Sequence, residues 1–179
     1  MNVIGDKNLF AIGYEFFDDE RVTELSLYIH GENILEFSSD GELFTTKWDL
    51  DELALWLREF IENMEDDPYP VSCDGEFAAM KDVEAREFDS DDDDEVDAYY
   101  TKLYEWDLRH RWHHASSGAV LADVYFQKSG DFVEISWNNE DADENVVFTY
   151  SLGGARIDLD MFRSTVDGFL KAYATHWFR

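Results

Sequence analysis

"ELFTTKWDLDELALWLREFIENM", residues 42–64, changes its period in mid-run. "ELFTTK" reads as a short strand. From Asp49 onward Leu50, Leu53, Leu57, Phe60, Ile61 and Met64 recur at helical spacing, and Asp49 is placed to cap the helix they define. Working back from this stretch, "DG" (40–41) turns it against "ILEFSS" (34–39), and "GEN" (31–33) makes an earlier turn. In "RVTELSLYIH" (21–30) Leu25, Leu27 and Ile29 face one way while Glu24, Ser26, Tyr28 and His30 face the other. In "LFAIGYEFF" (9–17) Phe10, Ile12, Tyr14 and Phe16 alternate, and "DDER" follows as a turn. The first third of the chain is therefore a β-meander that runs into an amphipathic helix.

Working forward, "DDPYPVSCDG" (66–75) holds both prolines, ends that helix and forms the best internal boundary. Residues 76–88 read as a short helix and Glu95–Ala115 as a longer one that "SSG" stops. In the longer one Val96, Tyr99, Tyr100, Leu103, Tyr104, Trp106, Leu108 and Trp112 cover so much of the circumference that neighbours are expected on two sides. Strands are expected at "AVLADVYFQ" (119–127), "DFVEISW" (131–137) and "NVVFTYSL" (145–152). "GGARIDLD" then leads into a last helix with Leu159, Phe162, Val166, Phe169, Leu170, Tyr173 and Trp177 on one face.

The two ends share an apolar-Glu-apolar-Ser strand, a Phe-Thr strand and an Asp-Leu-Asp helix start. They read either as a duplicated unit or as two hairpin-to-helix units obeying the same capping chemistry. In both cases the fold class is α+β, with antiparallel sheet and amphipathic helices packed on one face. The expected organisation is one compact domain over 1–179, with similar halves 1–66 and 116–179 joined by 67–115.

Composition narrows the partners. Of 179 residues 45% are hydrophobic and 16% aromatic, enough to bury a sizeable core, yet the formal charge is −28. Seven acids crowd residues 89–97, and removing those seven from 28 still leaves 21 net negative charges, so the acidity covers the whole molecule. Self-repulsion on that scale costs stability, and solubility needs only about 2–8 charges on a small domain. Nucleic acid and anionic membranes are disfavoured partners because phosphate is held by Lys and Arg. Basic proteins and cations remain. One cysteine, Cys73, rules out an internal disulfide framework. With no leader pattern at the N-terminus and no long apolar run, the expected setting is the bacterial cytoplasm.

The motifs for catalysis and metal binding fail on detail. Asp89, Asp91 and Asp93 open like an EF-hand loop, but the sixth position is Asp94 rather than glycine and the twelfth is Tyr100 rather than glutamate. His110 and His114 stand four apart with no third ligand in view, so cap and packing roles are expected of them. There is no nucleophile elbow and no phosphate-binding glycine loop. The expectation is a protein that is not an enzyme and has no cofactor and no metal.

A binding surface is what remains. Acids just ahead of a helix are stabilised by its dipole, but one or two suffice for that. The expected partner-binding residues are Asp89, Asp91, Asp92, Asp93, Asp94, Glu95 and Asp97, with Tyr99 and Tyr100 as aromatic anchors. A second set is Trp137 with the loop residues Glu140, Asp141, Asp143 and Glu144; Asp18, Asp19 and Glu20 form another acidic loop.

An acidic, motif-free α+β chain of this kind resembles the bacterial immunity proteins that neutralise toxin domains of contact-dependent growth inhibition and related polymorphic toxin systems. The segment "HHASSGAVLADVYFQKSGDFVEISW", His113–Trp137, is similar to a stretch found in uncharacterised bacterial proteins associated with those systems. The resemblance implies a cognate basic toxin domain bound one to one, a nuclease and within nucleases an RNase, whose cleft the acids and aromatics would occlude. Two other readings stay open: a nucleic-acid mimic that inhibits DNA-binding enzymes, and a halophilic enzyme whose acidity reflects salt adaptation.

Overall fold

The computed structural model describes residues 1–15, 22–112, 120–140 and 145–177. The N-terminal sheet is built from β1 (Asn2–Asp6), β2 (Phe10–Tyr14), β3 (Val22–Ile29) and β4 (Glu32–Asn33) in that order, all antiparallel. A small second sheet follows, with β5 (Glu36–Ser39) turned onto β6 (Glu42–Thr45) through Asp40 and Gly41, both left-handed at φ 52° and 81°. β7 (Lys47–Asp49) returns to pair with the start of β3 and runs directly into α1 (Leu50–Glu62).

The expected cap is present. The Asp49 side chain accepts from the Asp51 N–H at 2.8 Å, and Leu50, Leu53, Leu57 and Phe60 are buried. Next come α2 (Ala78–Ala85) and α3 (Asp93–His110), then the hairpin of β8 (Val124–Ser129) and β9 (Phe132–Asn138). β10 (Val147–Phe148), β11 (Leu152–Asp158) and α4 (Leu159–Trp177) complete the chain. α4 starts as α1 does, with an aspartate: the Asp158 side chain accepts from the Met161 N–H at 3.0 Å.

One aromatic cluster joins the two ends. Phe162 of α4 lies 5.3 Å from Phe10, 5.9 Å from Phe60 and 6.1 Å from Phe126, ring centroid to centroid. The N-terminal sheet, α1, α4 and the inner face of the β11-β9-β8 sheet thus share a core. A smaller core of Tyr69, Ala78, Ala79, Leu103, Trp106 and Tyr125 lies on the other face of that third sheet, where α2 and α3 pack. The architecture is α+β with antiparallel sheets and amphipathic helices, as expected, and residues 67–112 add a further helical layer to the third sheet.

Three local expectations are corrected. The strand beside β9 is not "NVVFTYSL" but the glycine-rich Leu152–Asp158; only Val147 and Phe148 of the expected strand are extended, and they pair with β5. Glycine belongs in β11 because aromatic rings lie on it: a Cβ would sit 2.5 Å from the Trp137 ring at Gly153 and 2.4 Å from the Phe77 ring at Gly154. β1, which the sequence left unassigned, adds a largely exposed edge to the first sheet. Lastly, α3 ends at His110 rather than Ala115. Arg111 is extended, its guanidinium held by Asp123 and Asp107, and the Trp112 N–H donates to Val124 O at 3.1 Å. The chain exchanges helical hydrogen bonds for sheet contacts while burying the Trp112 ring.

Candidate functional site

The acidic run forms the head of α3. Asp92 is its N-cap, accepting from the N–H groups of Asp94 at 3.0 Å and Glu95 at 3.4 Å. Asp93, Asp94 and Glu95 occupy the first turn, where the helix dipole favours them. Asp89, Asp91 and Asp97 are exposed, and none of the seven acids makes an ion pair among the described residues. The D-x-D-x-D spacing therefore ends as a helix start, and its charge is left uncompensated.

Tyr99 and Tyr100 are partly used by the fold. The Tyr99 ring stacks on Phe88 with centroids 3.9 Å apart, and the Tyr100 hydroxyl donates to the carbonyls of Arg86 at 3.2 Å and Phe88 at 3.1 Å. Together they bind the end of α2 to α3. Trp137, expected as a surface anchor, is a core residue at 5% exposure. The strand period explains it: Val133, Ile135 and Trp137 share the inner face of β9. Glu140 is exposed just past β9, and its N–H donates to the Asn138 side chain at 3.1 Å. Asp141, Asp143 and Glu144 lie outside the described residues, as do Asp18, Asp19, Glu20, His113 and His114. The acids of the α3 head are thus brought together with both tyrosines; no hydrogen bond or ion pair joins Glu140 to them.

The sequence also missed a surface. α3 was expected to have neighbours on two sides, but Leu103, Trp106 and His110 on one face are its only buried residues. On the other face Tyr100, Tyr104 and Leu108 follow one another at i, i+4 and i+8, exposed at 36, 64 and 46%. Asp93 and Asp97 extend the same line towards the helix head.

At its far end this line meets a groove of about 600 Å³ between α3 and the end of α1, where Leu108 joins Trp56, Phe60 and Met64. Glu59, Glu62 and Glu65 stand on its rim, exposed and without an ion pair among the described residues. The groove's cation is engaged: Arg109 donates to the Asp67 carboxylate at 3.1 and 2.8 Å. Burial would raise the Asp67 carboxyl, but hydrogen bonds from His110 and Arg109 outweigh it and hold it below the usual range. His110 has one ring nitrogen 2.9 Å from Asp67 and the other 2.8 Å from Phe126 O, and its ring stacks on Trp106. Both nitrogens serve the packing of α3, as its position within the apolar arc implies.

Behind α3 a second polar cluster fixes α2 and the end of α3 on the sheet. The Arg86 guanidinium donates to Asp82 at 2.7 Å, and Tyr125 donates to the same carboxylate at 3.0 Å. Arg111 bridges Asp107 and Asp123. Burial and the nearby Asp82 carboxylate push Asp107 up to about 6, against the pull of Arg111. Among the described residues no three His, Cys, Asp or Glu side chains are grouped to hold a metal ion, and no helix is long and apolar enough to cross a membrane.

No family model matches the chain, and no curated protein matches it in sequence. A solved structure does match in fold. CdiI from Burkholderia dolosa AUO158 aligns over 96% of this chain and 99% of its own, with a TM-score of 0.51 and 13% sequence identity. The likeness to that CdiI is one of fold, and it runs nearly end to end.

Proposed function

We propose that this chain is an immunity protein, an inhibitor rather than a catalyst, that binds a basic toxin domain one to one in the bacterial cytoplasm and blocks its substrate cleft. The observation that carries the reading is the fold likeness to CdiI across 96% of this chain and 99% of that one. The charge supports it: a net −28, with the carboxylates of α3's head unpaired among the described residues, suits a cationic target. A nuclease, and an RNase before a DNase, is the toxin class of choice, since a cleft that holds phosphate presents the Lys and Arg groups these carboxylates would engage. The expected interface includes Asp89, Asp91, Asp92, Asp93, Asp94, Glu95 and Asp97, with the Glu140–Glu144 loop as a second contact. Complementary fields raise association towards about 10⁸–10⁹ M⁻¹s⁻¹ at low salt, which matters when the target is lethal until captured.

The test is co-expression. The C-terminal domain of a large secreted protein encoded beside this one is produced in a sensitive host with and without this chain. The expected result is arrest with degraded cellular RNA in its absence, and growth with intact RNA in its presence. Persistent arrest, together with no binding between the purified proteins, would exclude the immunity role; arrest with intact RNA and rescue would keep the role and remove the RNase.

A further inference from the structure

We infer that the toxin docks along the open face of α3 and into the groove between α3 and α1, and that the segment it inserts carries a large apolar side chain flanked by lysine or arginine. The inference rests on the immunity reading and assigns it a face. A helix with a buried apolar side and a second apolar line of Tyr100, Tyr104 and Leu108 has a surface that the described residues leave largely exposed at Tyr104 and Leu108. That line is not isolated: it runs into a concave site floored by Trp56, Phe60 and Met64.

Charge identifies the occupant. Glu59, Glu62 and Glu65 rim the groove and Asp93 and Asp97 share the helical line, all exposed and all without an ion pair among the described residues. The cations of α3 do not offset them. Arg109 is held by Asp67, and Lys102, two residues before Tyr104, projects from the opposite side of the helix. An apolar floor with an unneutralised anionic rim disfavours a nucleic acid or another acidic surface, including a second copy of this chain. It suits the rim of a phosphate-binding cleft, where basic side chains surround an aromatic or aliphatic residue. Tyrosine is also the residue type that concentrates binding energy at the centre of an interface.

The experiment measures binding of the purified toxin domain from the neighbouring reading frame, the one used in the co-expression test, by interferometry. Tyr104→Ala/Leu108→Asp is expected to weaken binding by 100-fold or more, mostly through faster dissociation. Glu59→Lys/Glu62→Lys is expected to slow association about tenfold at low salt. Both pairs are exposed, so unchanged melting temperatures will show that the variants remain folded. Leu43→Asp/Val147→Asp, on the exposed face of the small second sheet, is the comparison and should bind as the parent does. If the parent binds the toxin domain and the Tyr104/Leu108 pair binds equally well, this face is wrong while the immunity role stands. A loss confined to the Leu43/Val147 pair overturns the inference likewise, by moving the interface. If the parent binds no toxin domain, both proposals fall together.

Discussion

Tyr99 lies face to face with Phe88, the two ring planes only 11° from parallel. Residue 100 turns the other way: its hydroxyl closes on the carbonyls of Arg86 and Phe88 while its ring keeps one edge in solvent. Adjacent tyrosines in the same acidic stretch therefore do different work. One packs its ring into the α2–α3 connection; the other ties that connection by its hydroxyl and begins the exposed line of α3.

The packed ring and the exposed line predict unequal stability effects. Tyr99→Ala should lower unfolding stability by about 1–3 kcal/mol, through the lost ring stack and the opened edge of the smaller core. Tyr104→Ala, at a side chain 64% exposed, should stay within about 0.5 kcal/mol of the parent. Urea unfolding at matched ionic strength measures both. Equal losses would mean that the Tyr104 face is packed and not open.

Asp107 makes stability depend on pH in an unusual direction. Its folded-state value of about 6 lies above the ordinary 3.8, so the fold favours the protonated acid. The ionised form is a cost to the fold above about pH 6, and the cost is relieved as pH falls from about 6 towards 4. Asp66 and Asp67 act oppositely, because their partners hold them below the usual range; their contribution is present above about pH 4 and is lost below it. Stability should therefore rise from pH 7 to about 5 and fall below about 4. Asp107→Asn should flatten the upper part of that profile and gain about 1–3 kcal/mol at pH 7. Melts in half-unit pH steps provide the check, and a variant that keeps the parent's slope between 4 and 6 would locate its source elsewhere.

What the sequence showed of this fold depends on periodicity. The Leu25-Leu27-Ile29 alternation and the α1 and α4 stripes were legible because each element buries one face at its own repeat. β11 was hidden because its early positions, Gly153 against Trp137 on one face and Gly154 against Phe77 on the other, are glycine, which carries no apolar signal. The end of α3 was hidden because Arg111 and Trp112 leave the helix for partners at Asp123, Val124 and Ala122, contacts across a gap that local sequence does not report. The candidate site was half legible. Charge run and cap were readable at Asp89–Asp97, but an apolar line on a helix looks the same whether a neighbour covers it or not. Trp137 and Tyr104 were therefore read the wrong way round as core and surface.

Gly154 gives the hidden strand its own test. Alanine there places a methyl group against the Phe77 ring, which is held between β11 and the start of α2. Gly154→Ala should cost about 1–3 kcal/mol by overpacking, despite the better strand propensity of alanine. Phe77→Ala in the same chain should recover part of that loss, because it removes the clash. Thermal melts of the two single variants and the double variant decide it; simple additivity would show that the ring and the glycine do not meet.

Salt separates a partner-directed surface from an adaptive one. Raising salt from 0.1 to 1 M shortens the screening length from about 10 to about 3 Å and weakens repulsion among the carboxylates. The fold rests on its shared aromatic core and on largely buried ion pairs such as those of Arg111 with Asp107 and Asp123. It should therefore be cooperative at 0.1 M and melt only modestly higher at 1 M. Unfolding at 0.1 M with recovery in molar salt would instead mark a halophilic protein whose charges need no partner.

The α3 head makes the kinetic side of the argument testable. Asp91 and Asp93 are exposed and unpaired among the described residues, so exchanging both for lysine moves the local field by four charges and touches no core contact. With the toxin domain as partner, Asp91→Lys/Asp93→Lys should slow association and flatten its dependence on salt. Dissociation should change less, because steering charges at a rim act before the complex forms. Stopped-flow association at 20, 100 and 300 mM salt measures it. Association and salt slope identical to the parent's would take this run out of the interface and leave the Tyr104–Leu108 line and the groove as the contact.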